Sequence, residues 1–118
     1  MATYYLRSTD GADADNGSTW ALAKAKLSGV DAVDAAGDTV YVSQVHAETT
    51  ATVTTISMAG TAASPTKIIC GNDAAEPPTA VATGGSIGTT GASNLVLQGS
   101  FYMYGMTLNC GSAAANFA

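Results

Sequence analysis

The placement of tight-turn dipeptides is what most constrains the fold of this chain. Asp10-Gly11 and Asn16-Gly17 are the pairs that join antiparallel strands, and both lie before residue 18. Beyond Gly37, short runs rich in Thr, Val and Ile succeed one another through Gly, Pro, Asn and Ala-rich connectors of uneven length, of which 71–93 is the extreme. Such runs do not make a hairpin-linked sandwich. They suit parallel strands stacked about 4.8 Å apart, with loops leaving from the sides of the stack. The expected fold class is all-β.

Composition agrees. Hydrophobic residues make up 47% of the 118, but 23 of them are alanine, so large apolar side chains are few and the core is thin. Charged residues reach only 11%, which fits strands and tight turns better than a solvated helical bundle. The length is that of one domain.

Tyr4 to Arg7 reads as an opening strand, and Ser8 to Ser18 as a surface loop dense in Asp, Asn and Gly. From Ser18 or Thr19 as N-cap, Trp20, Ala23, Leu27, Val30 and Val33 recur at helical spacing, and Gly37 stands where a terminating glycine belongs. A helix is expected over 18–37, weakened by Ser28-Gly29 at a cost of about 1 kcal/mol. Strands are expected at Thr39–Ser43, Thr52–Met58, Thr66–Cys70, Asn94–Gln98 and Phe101–Cys110. Within the last run, Phe101 and Met103 share a face with Met106 and Leu108 only if Gly105 shifts the parity, which predicts a corner at that glycine.

The succession Tyr4-Tyr5-Leu6-Arg7, the Asp10–Ser18 loop, Ser18-Thr19-Trp20-Ala21, the alanine-rich segment and Gly37-Asp38-Thr39-Val40-Tyr41-Val42 resembles the N-terminal part of pectate-lyase-like right-handed parallel β-helix proteins. Gly60 to Ile69 and Phe101 to Leu108 are similar to later turns of that family. The resemblance implies a single domain in which 1–17 is the opening strand and loop, 18–37 is a helix capping the stack with Trp20, Leu27 and Val30 facing it, and 38–118 is about three coils. The family usually continues for many more coils. An uncovered last coil implies that another chain covers it or that the sequence is a fragment.

Little in the sequence points to catalysis. The family's enzymes use calcium-binding carboxylates and a basic residue on neighbouring coils, whereas beyond the helix this chain offers only Asp38, Glu48, Asp73, Glu76 and Lys67. Asp10, Asp13, Asp15 and Asn16 lack the spacing of a calcium loop and read as a turn. His46 has no partner at a metal or triad spacing and reads as a surface histidine. Gly84-Gly85-Ser86-Ile87-Gly88 lacks the lysine of a phosphate loop and reads as a plain connector. Cys70 and Cys110 are either buried thiols or, if adjacent, a disulfide; with no visible export signal, thiols are expected.

A net charge of −5 disfavours nucleic acid and anionic membranes as partners. By parity Tyr102 and Tyr104 point outward, forming either an interface patch with a contribution from Phe117 or a simple cross-coil stack. Neither a catalytic residue, nor a cofactor, nor a metal is expected. β-Helix proteins without signal peptides are, by the resemblance, frequent in bacteriophage tailspikes and decoration proteins. The expected function is a non-catalytic virion protein, assembled in the host cytoplasm, that docks on the major capsid protein or on copies of itself. Alternatives are the N-terminal module of a tailspike or fibre, a carbohydrate-binding adhesin, and a truncated polysaccharide lyase.

Overall fold

The first long parallel ladder of the chain forms between β1 (Thr3–Leu6) and β2 (Thr39–Ser43). The structure is a computed structural model and describes residues 1–111. After β2 come β3 (Ala47–Thr50), β4 (Thr54–Ser57), β5 (Thr66–Gly71), β6 (Gly85–Thr89), β7 (Leu95–Gln98), β8 (Phe101–Tyr104) and β9 (Met106–Asn109). They form three sheets, ordered β1-β2-β5-β8, β3-β6-β9 and β4-β7, and every strand pairing within them is parallel. From β2 onward each strand pairs with the one three places later. The chain therefore visits the three sheets in turn and begins again one level on.

Register places the inward side chains of successive levels on top of one another. Tyr4, Val40, Ile68 and Met103 form one inward row, Leu6, Val42 and Cys70 a second, and Glu48, Ile87 and Leu108 a third. With Ile56, Leu95, Leu27 and Val30 these rows make the core, and Ile68, Val40 and Val42 are completely buried. Corners are made by glycine where the chain crosses the preceding level at close range. Gly105 (φ 74°) turns β8 into β9 as the parity of the apolar residues requires, and a Cβ there would lie 2.0 Å from the Ala82 carbonyl oxygen. Gly99 (φ 93°) similarly passes over the Met58 carbonyl.

The helix expected over 18–37 is not there. Residues Trp20–Leu22 form a single 3₁₀ turn and Leu27–Asp31 a short helix, α1. Between them the backbone is drawn out alongside β1: the Arg7 N–H donates to the Lys24 carbonyl at 2.9 Å and the Lys24 N–H to the Tyr5 carbonyl at 3.0 Å. Strand pairing thus displaces a helix that alanine content favours locally, a tertiary override of propensity. Trp20 accordingly leaves the core row of Leu27 and Val30 and packs with Tyr5, Ala23 and Tyr41 in a separate cluster.

Two strands are absent from the sequence reading. β6 occupies the glycine-rich stretch read as a connector, and Gly85 is small because a Cβ there would meet Met106 Sδ at 3.0 Å, Val42 Cγ1 at 3.2 Å and Cys70 Sγ at 3.3 Å. β3 lies in the polar stretch around His46. That histidine is 0% exposed rather than on the surface, and its Nε2 lies 3.1 Å from Glu48 Oε1. Glu48 Oε1 also accepts the Leu27 N–H at 2.9 Å, tying the start of α1 to the first level of the stack. Cys70 is buried and Cys110 half-buried, both as free thiols.

Two substitutions test this packing by denaturant unfolding. Gly85→Ala should lower stability by about 1–3 kcal/mol through overpacking. Glu48→Leu should lower it by about 2–4 kcal/mol, because the Leu27 N–H and His46 are left buried without their acceptor. A Glu48→Leu protein as stable as the parent would show that the buried polar pair is dispensable.

Candidate assembly surface

The chain's charged side chains are concentrated on its opening part, where they hold the loops and close strand edges. Asp38, 2% exposed, accepts the Ala2 N–H at 2.6 Å and the Ala35 N–H at 2.8 Å. Asp31 Oδ2 accepts from Ser57 N at 3.1 Å, Asp34 Oδ2 from Ala59 N at 2.9 Å, and Ser8 Oγ from Ala47 N at 2.9 Å. These N–H groups belong to β3, β4 and the residues after β4, whose free side would otherwise be an unpaired edge. Side-chain acceptors there do the work expected of a long capping helix.

The acidic loop surrounds an internal cation. Lys24, 5% exposed, donates from Nζ to the Asp13 carbonyl at 2.9 Å and the Asp15 carbonyl at 2.7 Å. Asp13 Oδ1 instead holds the residues that lead into α1, accepting from Ala25 N and Lys26 N at 3.1 and 2.9 Å. Asp10 pairs with Arg7 at 2.7 Å. Among the described residues no group of three or more His, Cys, Asp or Glu is placed to hold a metal ion.

Arg7 and Trp20 bind the 72–80 connector to the opening strand. Arg7 Nη1 lies 3.3 Å from Asp73 Oδ2, and its guanidinium carbon is 5.5 Å from the centroid of the Trp20 ring. Trp20 donates from Nε1 to the Ala75 carbonyl at 2.9 Å and from its backbone N–H to Glu76 Oε1 at 2.8 Å. Its ring meets Tyr5 edge-on at 4.8 Å. The Ser43 hydroxyl, donating at 2.7 Å, and then Arg7 hold the Asp73 carboxyl below the ordinary carboxylate value. Burial pushes Asp34 the other way, and its Oδ1 has no hydrogen-bond partner.

Against this polar end stands the last described level. Inward positions that are fully covered at Ile68, Ile87 and Leu95 become half-buried at Met103 and Leu108, and Phe101, Met106 and Leu97 share that condition. Tyr102 and Tyr104 point outward from β8, 47% and 53% exposed, as the parity of the strand predicts. Tyr104 continues the outward row Tyr5, Tyr41, Ile69. Phe117 lies outside the described residues. A separate depression of about 230 Å³ is lined by Tyr41, Ile69, Gly71 and the 78–81 segment.

The sequence pattern places Tyr102 and Tyr104 outward and expects an uncovered last coil, with Phe101, Met103, Met106 and Leu108 on its inward face; residues 77–118 contain no Asp, Glu, Lys, Arg or His. No helix among the described residues is long and apolar enough to cross a membrane. Comparison of the chain with protein-family models, with curated proteins and with solved structures finds no match.

Two carboxyls give opposite pH signatures. Asp73, whose folded value is depressed, contributes stability that is present above 3.8 and is lost as pH falls through its folded value. Asp34, whose folded value is raised, contributes stability below 3.8 that is lost as pH rises through its folded value. Urea midpoints across this range should therefore show Asp73→Asn flattening the acid limb and Asp34→Asn flattening the limb above it. Trp20, the single tryptophan, should report release of the 72–80 connector as a fluorescence change on the acid limb. An acid limb unchanged by Asp73→Asn would remove the Ser43–Asp73–Arg7 group from the account.

Proposed function

We propose that this chain is a non-catalytic structural module of a bacteriophage particle: a short right-handed parallel β-helix, similar to the N-terminal part of pectate-lyase-like proteins, that docks as a capsid decoration protein on other virion proteins. The observation that carries this reading is the polarity of the stack. One end has its strand edges satisfied by Ser8, Asp31 and Asp34, while the other presents half-buried Phe101, Met103, Met106 and Leu108 beside exposed Tyr102 and Tyr104. Half-buried apolar side chains beside exposed aromatics have the composition of a protein-contact surface. The carboxylates a polysaccharide lyase would need are committed elsewhere: Asp38 to backbone N–H groups, Glu48 to Leu27 and His46, Asp73 to Ser43 and Arg7, Glu76 to Trp20.

A second reading, a carbohydrate-binding module, is favoured by the depression beside Tyr41 and Ile69, where an outward tyrosine stands next to a concave wall. Aromatic faces are suited to the apolar faces of sugar rings. Mass spectrometry of purified particles separates the two. The virion reading expects the chain in stoichiometric amount in intact particles and no release of unsaturated sugar from polygalacturonate. Absence from particles together with binding on a glycan array would replace it with the second reading.

A further inference from the structure

We infer that the Asn16–Gly17 peptide is a latent site of covalent self-modification: Asn16 cyclises onto the Gly17 nitrogen when the opening loop comes free, and the folded chain holds this reaction off through its hydrogen bonds to Gly17. This chemistry is independent of the virion reading.

Reactivity selects the place. An asparagine closes on its neighbour when the next peptide nitrogen attacks the side-chain carbonyl carbon. The Gly17 N–Asn16 Cγ bond forms, the Asn16 Cγ–Nδ2 bond breaks, and ammonia leaves with the proton from Gly17, giving a five-membered succinimide. Water then opens the ring at either carbonyl. Attack at the side-chain carbonyl leaves aspartate, and attack at the main-chain carbonyl leaves isoaspartate; neither needs an oxidant or a cofactor. A side chain on the following residue crowds the attacking nitrogen. Of the five asparagines, Asn16, Asn72, Asn94, Asn109 and Asn116, only Asn16 precedes a glycine. Asn16 is also exposed, so water reaches it.

The fold opposes the same step. The Gly17 N–H donates to the Leu22 carbonyl at 2.8 Å, and the Gly17 carbonyl accepts the Tyr5 N–H at 2.8 Å, so the attacking nitrogen is pinned on both sides within buried backbone. Asn16 Oδ1 accepts the Ser18 N–H at 2.9 Å, which fixes the carbonyl that would be attacked. Ring closure turns the 16–17 peptide about the Asn16 main chain and takes the Gly17 N–H away from Leu22. Losing the two bonds of Gly17 slows the reaction on the order of 10-fold. The Leu22 carbonyl is itself steadied by the 3₁₀ turn at Trp20–Leu22, where the N-cap Thr19 accepts the Leu22 N–H on Oγ1 at 3.1 Å.

The glycine that makes the peptide reactive is one the fold requires. Gly17 has φ 74°, and a Cβ there would meet Tyr4 Cδ1 at 3.1 Å. Once it occurs, modification is one-way. Isoaspartate inserts an extra main-chain carbon ahead of Gly17, which then no longer reaches Leu22 and Tyr5 together. Either product adds a carboxylate to a loop that already holds Asp10, Asp13 and Asp15. A chain modified while open therefore does not regain its native opening level.

Peptide mapping by mass spectrometry at mildly alkaline pH tests the inference on the full chain, folded in buffer and unfolded in guanidinium chloride. Conversion at Asn16 should be on the order of 10-fold slower in the folded chain. Asn16→Gln, whose longer side chain does not close the five-membered ring, should abolish conversion at this position in both conditions. Thr19→Ala removes the acceptor that steadies the Leu22 turn; it should raise the folded rate roughly 5-fold and leave the unfolded rate unchanged, with circular dichroism to follow folding. Equal rates in the folded and unfolded parent, or a folded rate unmoved by Thr19→Ala, would overturn the protective role of the Gly17 bonds. Faster conversion of another asparagine in the unfolded chain would overturn the assignment of the site.

Discussion

Everything in this molecule answers to one constraint, the in-register parallel stacking of a level on the level before it. At about 4.8 Å between strands, a residue's nearest neighbours are the ones directly above and below, so each position must suit its row as well as its strand. Val40 over Ile68 over Met103 is such a row, and so is Tyr41 over Ile69 over Tyr104 on the outer side. The same closeness makes glycine necessary at Gly99 and Gly105, where the backbone of one corner crosses the backbone of the last. It also explains Gly85, whose missing side chain leaves room for Val42, Cys70 and Met106.

Among the described residues, the first level and the level of β8 and β9 differ in how their outer edges are met. At the opening end polar side chains supply the missing acceptors, and the short α1 is anchored through its Leu27 N–H to buried Glu48. Breaking such a buried pair costs more than the pair contributes, because a lone donor or charge remains in the core. Residues 101–109 of β8 and β9 carry no charged side chain. The described levels thus run from an edge met by polar side chains to one lined with apolar ones, and that polarity underlies the virion reading.

Much of the strand pattern is legible in residues 39–43, 66–70 and 94–109, where alternation and β-branched side chains agree with the face that is buried. The reading fails where a row demands the opposite of what local chemistry suggests. In 45–49 the apolar face, Val45 and Ala47, is exposed, while His46 and Glu48 point inward. No periodicity can reveal that, because the reason lies in α1, whose free N–H needs an acceptor. Gly85 to Thr89 fails for a related reason: its small residues fit neighbours supplied by other levels. The helix over 18–37 fails because β1 captures Lys24 as a strand neighbour of Leu6, a partner eighteen residues away that local propensity does not see.

By itself the sequence determined the all-β character, the corner at Gly105, the outward Tyr102 and Tyr104, and the confinement of charge to the first 76 residues. These follow from period-two patterning, backbone sterics and composition, which act locally. Only the tertiary structure decided that His46 is buried against Glu48, that Lys24 donates to the Asp13 and Asp15 carbonyls of the acidic loop, and that Met103 and Leu108 are only half-buried. Those facts depend on how the folded chain brings neighbouring levels and loops together, which no local period in the sequence encodes.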